Sequence, residues 1–283
     1  MPSLRDLRRR IQSVKKTQQI TRAMRMVSAA KLRRAQERIL AARPYSDRMI
    51  RMLQDVLASN PELDHPLLQP PKATTRLELV VVTSDRGLAG AFNVNVLKLA
   101  QREIVEHASE FEGISLYLLG RKAVEFFRRR RPHEIDVAKL FGVASYDTAV
   151  EVARHLAKRY LAGEIGGARI VYSEFASALS QAPRVVRLLP QRNQKAEDAV
   201  PFDAEPDLAK LLTLLVPKTF EVAIYRALLE SEAGEHAARM TAMEAATRNG
   251  EEMVGSLTLR FNRARQAAIT RELVEIITGA EAL

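Results

Sequence analysis

Residues 77–93 read LELVVVTSDRGLAGAFN, and this stretch decides the fold of the middle of the chain. It opens with an apolar run over 77–83 that is typical of a buried β-strand, and it passes into a turn that contains Gly87 and Gly90. A helical pattern begins at Asn93. A strand, a glycine-containing turn and a helix in this order form the first unit of an α/β sheet, where phosphate groups bind in nucleotide-binding folds.

The turn itself departs from the known phosphate-binding motifs. It lacks the third glycine of G-x-G-x-x-G, and it is not G-x-x-x-x-G-K-[ST]. The next predicted strand ends at Gly120-Arg121, with no carboxylate placed to bind a ribose. We therefore favour a tight strand-to-helix turn with a polar cap over a nucleotide site. The residues to which we assign this structural role are Ser84, Asp85, Arg86, Gly87 and Gly90.

Strand and helix patterns alternate through the rest of this region. The predicted strands are 77–83, 114–119, 135–137, 169–175 and 184–189, and the predicted helices are 93–111, a short one from Arg121, and 146–161. This alternation predicts a mostly parallel sheet with helices on both faces. We assign the α/β domain to 72–205, after a proline-rich linker at 59–71, and a second break at 190–206 closes it.

The two ends of the chain carry long helical patterns. Residues 3–59 place apolar side chains three and four apart without a glycine, enough for a helix of about 80 Å. Pro44 is expected to kink or interrupt this helix, and Pro217 to interrupt the C-terminal one. Asn249-Gly250 could form a turn, but periodicity on both sides favours a continuous helix.

Helices of this length favour a coiled coil over ordinary globular helices. Because a compact insert separates them, the two helices must run in opposite directions. We therefore predict an α/β fold plus a long α-helical coiled coil: 1–58 and 207–283 form an antiparallel coiled-coil shaft, and a Rossmann-like α/β domain is inserted between them.

Composition excludes several classes of protein. The 283 residues are 47% hydrophobic, enough for a folded core, and they include no cysteine, which excludes disulfides and thiol nucleophiles. We find no apolar run long enough to span a bilayer and no signal-peptide pattern. The five histidines have no metal-ligand spacing and no G-x-S-x-G elbow is present, so we expect no catalytic, metal or cofactor site.

Charge is concentrated at the start of the chain. The net charge is +10, and residues 1–51 alone hold 15 basic and 3 acidic side chains. Nucleic acid, an anionic surface or an acidic protein partner would each account for this excess, as would a solvated helix face.

Three stretches together resemble the gamma subunit of rotary F-type ATP synthases. They are Ile20 to Leu32 (ITRAMRMVSAAKL), the turn at 84–93, and Ile269 to Glu275 (ITRELVE) with the following Gly279-Ala280-Glu281-Ala282. Residues 235–240 (EHAARM) and 262–268 (NRARQAA) are also similar to that family. The turn departs from the family at Ala89 and Ala91, where many members have Cys and Gly. The resemblance runs from end to end.

The resemblance implies a non-catalytic central shaft. One end of such a shaft lies inside a hexamer of alpha and beta subunits, and the globular end sits with an epsilon subunit on the c-ring. It implies a peripheral place on the cytoplasmic face of a bacterial plasma membrane, in the F1 sector, with membrane contact only through Fo partners and no nucleic acid. By motif match, the candidate torque-transmitting contacts are Met24, Arg239, Arg265, Gln266 and Thr270; for Met24, core packing is an equal alternative.

Two other classes stay open at this point. A basic coiled coil could bind nucleic acid, although Tyr45 is the only aromatic residue of the first 59. The α/β domain could be a nucleotide-binding enzyme.

Overall fold

The computed structural model describes residues 3–59, 65–70, 76–178, 180–191 and 208–281. Residues 60–64 and 71 of the predicted linker at 59–71, and most of the break at 190–206, lie outside the described residues. The chain forms two compact units, the first made of Met1–Ser28 with Met240–Leu283 and the second of Ala29–Arg239.

The helices and strands alternate as follows. In chain order they are α1 (Leu4–Ser59), β1 (Arg76–Val82), α2 (Phe92–Glu106), β2 (Gly113–Leu119), α3 (Arg121–Arg128), a 3₁₀ turn (Pro132–Glu134), β3 (Ile135–Lys139), α4 (Tyr146–Leu161), β4 (Gly167–Phe175), β5 (Gln181–Leu189) and α5 (Leu208–Glu281).

The five strands form one sheet in the order β3-β2-β1-β4-β5. All neighbouring pairs are parallel except β4 with β5. In the central strand β1, Val80 is paired with Tyr117 on one side and with Ile170 on the other. The prediction of a mostly parallel sheet is confirmed, and the antiparallel β5 closes one edge.

Both faces of the sheet are covered. Leu79 and Val81 of β1 point to one face and pack with apolar residues of α2 and α3, among them Ala100 and Phe127. Val80 and Val82 point to the other face, because side chains alternate along a strand, and they pack with α4, the end of α1 and the start of α5. Each β1 side chain from Leu77 to Val82 is therefore buried.

Two details of the helices differ from the sequence prediction. Helix α2 ends at Glu106, so Ala108 and Phe111 lie beyond it. The expected interruption at Pro217 is wrong, because α5 runs through this residue. Of the kink or interruption expected at Pro44, an interruption does not occur, because α1 continues through this residue. A proline removes one backbone hydrogen bond, and around Pro217 the burial of neighbours such as Val216 keeps the helix formed.

Helix α5 also continues through Asn249-Gly250, as favoured from its periodicity. No helix among the described residues combines the length and the apolar character needed to cross a membrane.

In the first unit, α1 and α5 meet through small and polar side chains. Thr21 and Thr247 share a hydrogen bond of 2.8 Å between their hydroxyls, and Arg25 lies 3.7 Å from the carboxylate of Glu244. Partner numbers fall along α5 as they rise along α1, so the two helices are antiparallel.

The second unit shows the same direction of pairing. Arg38 of α1 contacts Glu232 of α5 at 2.9 Å, and Asp47 lies 3.7 Å from Arg226. The predicted antiparallel coiled coil is confirmed.

The two units bury α5 differently. Every residue from Ala227 to Ala237 is buried in the second unit, because the helix is enclosed by α1, the sheet and the loop before α4. In the first unit only a narrow stripe is buried, including Ser28 and Met243. The first unit therefore gains less free energy from apolar burial than the second.

We expect the double variant Thr21→Cys/Thr247→Cys to form a disulfide under mild oxidation, because these two side chains already touch. The chain has no other cysteine, so a shifted band in non-reducing gels reports this bond alone. The matched control, Thr21→Cys/Leu259→Cys, moves the second cysteine along α5 by about 18 Å. A disulfide in the control as efficient as in the first pair would contradict the register.

Candidate functional site

The turn after β1 is closed by its own polar side chains. The backbone N–H of Ser84 donates to Oδ1 of Asn93 at 3.0 Å, and the Ser84 hydroxyl donates to the carbonyl of Arg86 at 2.6 Å. These bonds fix the start of α2 relative to the end of β1. Gly90 has a positive φ of 54°, which favours glycine.

Asp85 binds backbone N–H groups of the segments that follow β2 and β3. Its carboxylate accepts hydrogen bonds from the backbone N–H groups of Arg121 (2.9 Å), Phe141 (3.1 Å) and Gly142 (2.8 Å). Partial burial alone would raise the pKa of Asp85, but these three donors and the charge of Arg121 hold it below its ordinary value of 3.8. The turn therefore carries a built-in anion at the N-terminus of α3.

Gly120, at the end of β2, is required by the same arrangement. Its φ is +100°, and a side chain here would collide with the carbonyl oxygen of Thr83. The close approach lets the Thr83 hydroxyl accept a hydrogen bond from the N–H of Ala123 at 2.9 Å. The carboxyl ends of β1 and β2 are thus joined by direct hydrogen bonds.

Arg239 points inward onto this turn. Its guanidinium donates to the carbonyls of Arg86 and Gly87 at 3.3–3.4 Å and contacts Glu235 at 2.7 Å. Arg239 is only 8% exposed. It therefore links α5 to the turn inside the second unit, which the motif match alone did not indicate.

The other four motif-matched residues lie in the first unit. Met24 of α1 is half-buried, which leaves the packing and contact interpretations both possible. Arg265, Gln266 and Thr270 are exposed on one stretch of α5, where the Thr270 hydroxyl donates to the Gln266 carbonyl at 3.0 Å. These three residues lie close together on α5 in the first unit, whereas Arg239 belongs to the second unit.

The first unit exposes an unusual number of large apolar side chains. The more exposed of them are Ile20, Met26, Val27, Met253, Leu259, Leu273, Val274, Ile276 and Ile277. Within the unit α1 begins only at Leu4, so it offers little cover for the last turns of α5. A soluble monomer rarely exposes so much contiguous apolar surface, and such surfaces mark contact sites for other proteins.

Comparison with known proteins gives a consistent result over the whole length. Residues 3–283 match the family model described as ATP synthase. The ATP synthase gamma chain of Anaeromyxobacter dehalogenans (strain 2CP-C) is 49% identical over 290 residues, covering 100% of both chains. The gamma chain of Pelotomaculum thermopropionicum is 49% identical over 292 residues, again covering 100% of both.

The chain belongs to the ATP synthase gamma chain family. The resemblance seen in the three motif stretches is thereby confirmed. The relatives give no support to a nucleic-acid-binding protein or to a nucleotide-binding enzyme.

Solved structures of ATP synthases contain chains with a similar fold. A chain of the Euglena gracilis mitochondrial ATP synthase (OSCP/F1/c-ring, rotational state 3) has a TM-score of 0.72 at 23% identity, covering 99% of this chain and 94% of that one. A chain of the Euglena gracilis rotor has a TM-score of 0.69 at 21% identity, covering 94% of this chain and 98% of that one.

A run of buried polar groups on α5 was not predicted from the sequence. Its members are Glu230, Ser231, Glu232, Glu235, His236 and Arg239. Burial, together with the charges of Arg239 and Lys31, lowers the pKa of His236 to about 4, so the imidazole is neutral. Charged residues in a helix suggest a solvated face, and only the enclosure of α5 makes this run internal.

We expect Arg239→Gln to destabilise the second unit by about 3–5 kcal/mol, because it leaves Glu235 buried without its partner. Burial raises the pKa of Glu235, opposed by Arg239, so removing Arg239 raises it further. A carboxyl group whose pKa is higher in the folded than in the unfolded state stabilises the fold at low pH. This stabilisation is lost as the pH rises. The deficit should therefore grow from mildly acidic to mildly alkaline pH in urea unfolding.

The double variant Glu235→Gln/Arg239→Gln is the matched control. It removes both charges. It should therefore restore part of the lost stability and abolish the added pH dependence. An additive loss in the double variant would contradict the internal ion pair.

Proposed function

We propose that the chain is the central rotor stalk of an F-type ATP synthase. It couples ion flow through the c-ring to the conformational cycle of the alpha/beta catalytic hexamer, and in reverse it couples ATP hydrolysis to ion pumping. The observation that carries this proposal is the 49% identity with a bacterial gamma chain along the full length of both proteins. Its partners are then the alpha, beta and epsilon subunits and the c-ring.

The chain itself is non-catalytic in this proposal. The support is membership in the family and the departure of the turn after β1 from both phosphate-binding motifs. The nucleotide sites belong to the alpha and beta subunits. We place the complex at the cytoplasmic face of a bacterial plasma membrane, with this chain peripheral.

The role that we propose for each part of the chain follows the predicted domains. Residues 1–58 and 207–283 supply the shaft, and the α/β domain at 72–205, joined through the linker at 59–71, supplies the contact with epsilon and the c-ring. The exposed apolar side chains of the first unit support enclosure of its helices by alpha and beta subunits. The basic excess of residues 1–51 suits an acidic protein surface.

A rotor must press on its surroundings without locking to one subunit. It meets three chemically equivalent partners in turn, so a permanent ion pair would hold it at one angle. Exchangeable polar contacts of about 0.5–1.5 kcal/mol each suit this requirement. Arg265 and Gln266, exposed on α5, are the residues that we propose for such contacts.

The function is tested by reconstitution with alpha and beta subunits. We expect the three proteins to form one complex whose ATPase activity requires this chain, while the chain alone hydrolyses no ATP. Because the subunits bind one another through protein surfaces, we expect the complex to stay intact at salt concentrations that dissociate proteins from nucleic-acid phosphates. No complex at any salt concentration, or ATP turnover by the isolated chain, would overturn the proposal.

We expect Arg265→Ala and Gln266→Ala to lower ATP turnover and pumping while leaving the complex assembled, because each removes one exchangeable contact. Met24→Lys should impair coupling more than assembly, since a lysine there could form an ion pair that holds the rotor at one angle. The control is Arg263→Ala, which removes the same charge from another side of α5. Rates and pumping-to-hydrolysis ratios equal to wild type in the first three variants would contradict their assignment.

A further inference from the structure

A cluster of ionisable side chains lies at the amino ends of β1 and β3, away from the Asp85 turn. Glu78 of β1, Asp136 of β3 and His155 of α4 each offer one donor atom, and these atoms lie within 4.8 Å of one another. Nε2 of His155 is 2.9 Å from Oδ2 of Asp136 and 4.0 Å from Oε1 of Glu78. All three residues belong to the second unit.

Glu78 is fully buried, and only one of its two oxygens is satisfied. Oε2 accepts hydrogen bonds from the Ser115 hydroxyl at 2.6 Å and from Arg159. Oε1 has no hydrogen-bond partner and lies 4.0 Å from Nε2 of His155. That nitrogen also makes no hydrogen bond, although Oδ2 of Asp136 is 2.9 Å away. A buried carboxylate oxygen without a partner is costly unless something binds it.

The charges of the cluster are not balanced either. Arg159 also donates to Asp136 at 2.8 Å and to Glu164 at 3.0 Å, so one guanidinium faces three carboxylates. Burial raises the pKa of Glu78, while the Ser115 hydrogen bond and Arg159 oppose that effect. Carboxylates outnumber this guanidinium, and a bound divalent cation would add positive charge among them.

We propose that Glu78, Asp136 and His155 bind a divalent first-row transition-metal ion of the Zn²⁺ type. The ligands are Glu78 Oε1, a carboxylate oxygen of Asp136 and His155 Nε2, with water completing the coordination. Metal–ligand bonds of about 2.0–2.2 Å join donor atoms up to about 4 Å apart. The three donor atoms lie within 4.8 Å of one another, so shifts of at most about 1 Å suffice. The imidazole nitrogen favours such ions over Mg²⁺ and Ca²⁺, which prefer oxygen ligands.

The surroundings hold these ligands in place. Ser115 and Arg159 bind the far oxygen of Glu78, which leaves Oε1 pointing toward the site, and the Tyr117 ring packs edge-on against His155 at 5.1 Å. Supporting contacts of this kind orient metal ligands in proteins. The bound ion would join β1, β3 and α4, and the site is independent of the proposed rotor function.

The experiment uses the purified full chain without a histidine tag. Zn²⁺ binding is measured by calorimetry, Co²⁺ coordination by its visible absorption spectrum, and stability by thermal unfolding with Zn²⁺ or with a chelator. The variants are His155→Gln, which removes a ligand outside the Arg159 ion pairs, and Asp136→Asn. The matched control is His107→Gln, since His107 lies in a second group with Glu103 and Glu106.

We expect wild type and His107→Gln to bind one equivalent of Zn²⁺ and to gain thermal stability from it. His155→Gln and Asp136→Asn should bind at least tenfold more weakly and lose the Co²⁺ spectrum. Equal binding by wild type and His155→Gln, binding lost only in His107→Gln, or no Zn²⁺ binding by wild type would each overturn the site.

Discussion

The second unit depends on one buried carboxylate, Glu232 of α5. It accepts hydrogen bonds from Arg38 of α1 at 2.9 Å and from the backbone N–H of Ala144 at 3.1 Å, and Arg38 also donates to the Ala144 carbonyl. Three segments far apart in the chain thus meet at one side chain. A charge in this position is stable only while its partners are present, so α1, α5 and the loop before α4 must assemble together.

Arg239 and Asp85 also join segments that are far apart in the chain, and they do so at the turn after β1. Arg239 binds carbonyls of the turn, while Asp85 binds N–H groups from the segments that follow β2 and β3. The sheet keeps a Rossmann-like topology, and its carboxyl edge serves to attach α5.

Secondary structure followed from the sequence wherever one face of an element was apolar. Helix α4 begins at Tyr146 and ends at Leu161, as predicted, because its apolar stripe is regular and Ser145 caps its N-terminus. The prediction for α2 extended past Glu106, since apolar residues continue at helical spacing after the helix has ended. Pro217 was misjudged because burial from outside α5 cannot be inferred from local pattern.

The sequence by itself determined the two long helices, the alternation of strands and helices, and membership in the gamma chain family. Periodicity carries this information because it records which face of each element is apolar. Only the tertiary structure decided that Arg239 faces inward and that Glu78, Asp136 and His155 meet. These residues come from different elements, so no spacing along the chain brings them together, and their proximity depends on the strand order and on the packing of α4 against the sheet.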